Sequence, residues 1–155
     1  MGWQLQTNLK GPSSLKLGRL SSPLSTASAS SWTTAFSVAI APQQCLSFQA
    51  WLYFSASAPS TGLVTTLSGP ARPVAVIHNL LTGEGPTNVR NLTATAYDTP
   101  LRGTGSAGEA LLLAQVSGTV ENGSTGGTLQ LRFRSEVAGN AVTIARGSWW
   151  QVLLH

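Results

Sequence analysis

From residue 126 to residue 155 the chain alternates apolar and polar side chains with a period of two, broken by short turns rich in glycine and asparagine. Residues 128–137 put Leu129, Leu131 and Phe133 on one face and Gln130, Arg132, Arg134 and Glu136 on the other. In a helix, residues two apart point in different directions, whereas a strand places them on the same face. This segment therefore reads as a half-buried antiparallel strand. Residues 141–145 and 148–154 read as two more. Ala138-Gly139-Asn140 and Arg146-Gly147 supply the turns between them, because Gly and Asn adopt positive φ at little cost.

The same rhythm extends back to Trp32. Residues 32–40 align Thr34, Phe36, Val38 and Ile40. After Pro42, the residues Leu46, Phe48, Ala50, Leu52 and Phe54 form an inward face opposed by Gln49, Trp51 and Tyr53. Residues 61–68, 74–81, 89–97 and 110–120 come next, separated by Gly/Pro turns. Leu111, Leu112 and Leu113 could begin a helix, but Val116, Gly118, Thr119 and Val120 favour a strand. The expectation is an all-β chain, an antiparallel β-sandwich or barrel. The strands share no repeated pattern, which argues against a solenoid or propeller.

Residues 1–31 differ from the rest of the chain. Trp3, Leu5, Leu9, Leu15, Leu17, Leu20 and Leu24 have no helical period, and Pro12 and Pro23 interrupt any long helix. The segment is expected to be an extended N-terminal arm (1–31) preceding a β-domain (32–155), dispensable for folding. The alternative is that it adds an edge strand to its own domain. Lys10, Lys16, Arg19 and Arg72 are the only charges before Glu84, and five Arg balance five acids from there on. The net charge of +4 thus lies in the first half, as in a tail that docks on an acidic surface or as in a merely solvated terminus. These few cations are a poor nucleic-acid track, since such binding usually needs roughly six to ten phosphate contacts. No nucleic-acid partner is expected.

Only 9% of residues are charged, against about 25% typically. Unbroken apolar runs reach five residues, far short of the ~20 of a membrane-spanning helix, so no membrane partner is expected either. Sparse charge with 42% apolar residues suits a surface covered by copies of itself or by a partner. Cys45, alone in the chain, is expected to be a small buried residue.

The stretch Leu131-Arg-Phe-Arg-Ser-Glu-Val137, followed by Gly139, Ala141-Val-Thr-Ile144 and Gly147-Ser148, resembles the end of a jelly-roll module in tailed-bacteriophage virion proteins. That module closes a sandwich of the tumour-necrosis-factor or complement-globular-head type. The resemblance covers about thirty residues and contains no catalytic signature. It implies a jelly roll, a homotrimer and a place in the virion. Met1 to Gln6 have neither the basic start nor the apolar run of a signal peptide, so assembly in the host cytoplasm is expected. The expected role is a capsid decoration protein that docks on the major capsid protein or another virion protein. A receptor-binding or fibre-tip protein is the alternative, gripping a host surface through residues 82–87 and 100–108.

The residues give no sign of chemistry. Gly103-Thr-Gly105-Ser-Ala-Gly108 matches G-x-G-x-x-G, but Pro100 precedes it and a strand follows, where a dinucleotide loop needs a strand before and a helix after. His78 lies among β-branched residues and is expected to be structural. No His-x-His or acidic cluster marks a metal, and no nucleophile–base spacing marks an enzyme. No catalytic residue, cofactor or metal is expected. The candidate docking residues of the arm are Trp3, Leu5, Leu9, Lys10, Leu15, Lys16, Leu17 and Arg19. The candidate subunit interface comprises Trp51, Tyr53, Arg132, Arg134, Trp149 and Trp150. Adjacent Trp149 and Trp150 must face opposite ways, so one of them belongs to the core.

Overall fold

The computed structural model describes residues 14–83, 88–103 and 111–155. These form an antiparallel β-sandwich with no helix among the described residues. The strands are β1 (Ser14–Arg19), β2 (Leu24–Thr26), β3 (Thr33–Ile40), β4 (Cys45–Ala56), β5 (Leu63–Ser68), β6 (Ala75–Gly83), β7 (Val89–Ala94), β8 (Leu101–Arg102), β9 (Leu112–Glu121), β10 (Gly127–Ser135), β11 (Val142–Ile144) and β12 (Trp149–Leu154). The large sheet runs β1-β12-β4-β9-β6-β7, with β11 pairing β4 and β2 at one end; the small sheet runs β3-β10-β5-β8. Among the described strands, only β6 and β7 are paired sequence neighbours. β2 continues the line of β1 and β12 that of β11 within the large sheet, and every other connection crosses from one sheet to the other, which is jelly-roll wiring.

Alternation places the core. Leu46, Phe48, Ala50, Leu52 and Phe54 of β4 and Leu129, Leu131 and Phe133 of β10 are all buried between the sheets. Burying a side chain of this size is worth roughly 1.5–3 kcal/mol. The 110–120 segment is strand β9 from Leu112, and Gly139 and Gly147 take the positive φ expected of their turns.

The structure corrects four expectations. Thr34 is exposed while Ala35 is buried, because the β3–β10 register shifts between Leu131 and Arg132, so that Arg132 opposes Thr34 and Leu131 opposes Phe36. The extra residue is a β-bulge, which reverses the facing of the strand before it. The span 89–97 divides into β7 and a turn, and the two-residue β8 then crosses to the small sheet. Cys45 is exposed, because it shares the outward parity of Ser47 and Gln49. Residues 14–26 are also more than a detached arm. β1 pairs with β12 along its whole length, β2 pairs with β11, and Leu20 and Leu24 pack against the core. Without β1, the donors and acceptors along that side of β12 would form a sheet edge, so residues 14–26 contribute to the fold. Trp3, Leu5, Leu9 and Lys10 lie outside the described residues.

Candidate functional site: the outer face of the large sheet

Antiparallel register turns the outward residues of six strands into cross-strand rows. One row reads Arg19, Trp149, Trp51, Gln115, Leu81 and Asn91. The next reads Leu17, Gln151, Gln49, Ser117, Asn79 and Thr93, and a third Leu15, Leu153, Ser47, Thr119 and Ile77. A largely polar row is thus flanked by two mixed rows that carry the apolar groups, Trp149, Trp51 and Leu81 in one and Leu15, Leu153 and Ile77 in the other. Directly opposed residues on one sheet face interact, and here Trp51 and Trp149 stack with centroids 4.1 Å apart and planes 12° from parallel. Tyr53 and Leu113 extend the apolar surface past the Trp pair.

The polar row is bonded within itself and to its neighbour. Gln151 Nε2 donates to Gln49 Oε1 at 3.3 Å, Ser117 Oγ donates to Asn79 Oδ1 at 3.2 Å, and Asn79 Nδ2 donates to Asn91 Oδ1 in the first row. Small side chains in the middle of the face leave a depression of about 460 Å³ among Leu15, Leu153, Ser47, Gln49, Ser117 and Thr119. Apolar groups in contact with solvent stand at both edges of the face, with Leu17 on β1 and Val89 on β7 each 69% exposed. Among the described strand residues this face has two charges. Arg19 is at the β1 edge beside Trp149, and Glu121 is at the far end of β9.

The structure separates the candidate interface residues. Trp51, Tyr53 and Trp149 come together on this face, with Leu15, Leu17 and Arg19 of the candidate arm at its edge. Trp150 is the core member of its pair, buried and stacked on Phe36 at 5.3 Å. Lys16 pairs with Val152 in the register and so has the opposite parity to Leu15 and Leu17. Arg132 and Arg134 lie on the outside of the small sheet. Ile77, Leu81 and Leu113 belong to the face but are not marked by sequence pattern. Their strands alternate, yet apolar residues fall on both sides, and only the rows show which side is outward.

The buried polar groups are structural. His78 is fully buried in β6 and bonds the Ala96 carbonyl through Nε2 at 3.4 Å, while its Nδ1 has no partner. Burial lowers its pKa below 6.5, opposed in part by that hydrogen bond. Burial likewise raises the Tyr97 phenol to about 12. Among the described residues there is no group of three or more His, Cys, Asp or Glu able to hold a metal. No described helix is long and apolar enough to cross a membrane.

No protein-family model matches the chain, and no curated protein matches it. Among solved structures it is similar to infectious bursal disease virus of the Gx strain, at 14% identity and a TM-score of 0.31 over 100% of this chain and 40% of that one. The Gt strain of the same virus gives 15% identity and 0.29 over 100% and 42%. The VP2 subviral particle of that virus gives 13% identity and 0.28 over 97% and 44%. The chain therefore spans less than half of each. At such scores the likenesses do not discriminate between one all-β arrangement and another.

Proposed function

We propose that this chain is a structural protein of a tailed-phage particle. In this reading it is a homotrimer that decorates the head, docks on the major capsid protein or another virion protein, and stabilises the assembled shell. The observation that carries the self-association is the outer face of the large sheet. Six strands about 4.8 Å apart and some eight residues long give a face of about 24 by 27 Å, roughly 650 Å². A standard interface buries roughly 800 Å² per partner, so this face, with its rim, is of the right size for one of the two contacts that each subunit of a cyclic trimer makes. Its middle is uncharged and a stacked Trp pair stands beside it, and interface cores are depleted in charge and enriched in Trp. The virion placement is supported by the resemblance of residues 131–148 and by the segment that leads into β1, which carries Trp3, Leu5, Leu9 and one cation, Lys10. Residues 1–13 are assigned to docking and residues 32–155 to the body of the domain. Mass action provides the mechanism, because whatever binds the assembled state stabilises it over the free parts. The role needs no cofactor, nucleic acid, membrane or catalysis.

Electron cryomicroscopy of particles labelled with a fragment raised against this chain tests the reading. Clusters of three on the head surface are expected. Label confined to a tail or fibre tip would assign the chain to receptor binding instead. A light-scattering mass of one chain at micromolar concentration, with unlabelled particles, would end the proposal.

A further inference from the structure

The outer face of the small sheet has different chemistry. Arg132 and Arg134 point outward from β10, opposite Thr66 and Val64 of β5, and Val64 in turn opposes Arg102 of β8. Val64 and Thr66 have no exposed surface, so this layer of the sheet is roofed although it faces away from the core. Trp32, immediately before β3, stacks under the guanidinium of Arg134 at 4.4 Å and lies 5.9 Å from that of Arg132. Arg134 Nη1 donates to the Ser30 carbonyl at 3.4 Å. The Nε of each arginine is buried without an acceptor. Arg132 also pairs with Asp98, whose backbone is held at φ +57° by a turn in which its N–H donates to the Leu67 carbonyl at 2.7 Å.

We propose that this Trp32–Arg134–Arg132 platform is a docking site for an acidic polypeptide segment, whose carboxylates bind the two guanidiniums. Charge complementarity is the first argument. Arg102, Arg132 and Arg134 share the face with two described acids. Glu136 is occupied in accepting the Gly62 N–H at 3.0 Å, and Asp98 is 62% exposed at the rim. The second argument is that a carboxylate already binds there in cis. The Asp98–Arg132 pair shows the chemistry the platform recognises, and its exposure leaves Asp98 free to be joined or displaced. Preorganisation is the third. A guanidinium stacked on an indole is planar, weakly hydrated and permanently charged, which suits it to forked recognition of carboxylates. Three arginines are too few for a nucleic-acid track. The site lies on the opposite side of the sandwich from the proposed self-contact face and does not depend on it or on the virion reading.

The test uses the full chain and fluorescently labelled octaglutamate, followed by anisotropy at about 50 mM salt, where charge pairing is only partly screened. Saturable binding is expected. Arg134→Lys keeps the charge but loses the fork and the stack, so it should weaken binding about tenfold. Arg132→Gln combined with Arg134→Gln should weaken it at least as much, and Arg72→Gln or Arg146→Gln should change it by no more than about twofold. Near-ultraviolet circular dichroism establishes that Arg134→Lys is folded. The proposal is overturned by absence of octaglutamate binding, by wild-type affinity in Arg134→Lys, or by equal losses in Arg72→Gln and Arg146→Gln. Tighter binding of a thymidine octanucleotide or of phosphatidylserine vesicles than of octaglutamate would also overturn it.

Discussion

Gln49→Glu offers a sharp test of the self-contact face, because it places one charge at the centre of that face without changing the shape of the side chain. Gln49 is exposed and accepts a hydrogen bond from Gln151 through Oε1, an acceptor that Glu retains. In the isolated subunit the change should therefore lie within about ±0.5 kcal/mol, as is usual for surface substitutions. In the assembled trimer the carboxylate would be buried among uncharged groups, since Arg19 and Glu121 stand at the margins. An unpaired buried charge costs about 3–5 kcal/mol. At about 1.4 kcal/mol per decade, each contact weakens by two to three or more powers of ten. Sedimentation equilibrium should show wild-type trimer and Gln49→Glu monomer at the same micromolar concentration, with thermal midpoints of the dilute proteins unchanged. Lowering the pH towards the ordinary glutamate value of about 4.3 should restore association as the carboxyl group protonates. A Gln49→Glu protein with wild-type mass at every concentration would show that this face is not the contact.

Three further perturbations probe the docking segment, the buried histidine and the sheet packing. Removing residues 1–13, which spares β1, should leave the midpoint of unfolding within a few degrees of wild type but abolish attachment to particles; within that segment Trp3→Ala or Leu5→Ala should weaken attachment more than Lys10→Ala, because a buried apolar side chain is worth roughly 1.5–3 kcal/mol and an exposed ion pair about 0–1. Co-sedimentation with particles at low and high salt measures both, and stripping by salt with no effect of Trp3→Ala would identify an electrostatic tether. For His78, burial holds the folded pKa below the unfolded value of 6.5, so the unfolded chain binds more protons in that interval; stability should be level above about pH 6.5 and fall as the pH drops towards the folded pKa, and urea midpoints should show a shallower fall in His78→Gln. Gly118→Ala would drive a methyl group into the Ile77 carbonyl and to 2.9 Å from both His78 Cα and Phe48 Cε1, which should cost at least about 1–3 kcal/mol, and a thermal midpoint equal to wild type would contradict that packing.

What the sequence determined by itself was facing and punctuation. Period two is a local property of extended backbone, so the inward rows of β4 and β10 and the turns at Gly139 and Gly147 were legible without knowledge of any neighbour. The tertiary structure decided register, edges and closure, which depend on segments far apart in the chain. Trp149 opposes Trp51 across ninety-eight residues of sequence, and nothing local says that they stack. The bulge at Ala35 arises from pairing with β10, and Ser14–Arg19 becomes a strand because β12 offers it a row of donors and acceptors. Trp149 and Trp150 differ for the same reason. Parity requires them to part, but only the second sheet, with Phe36 against Trp150, settles which one is buried and which faces outward.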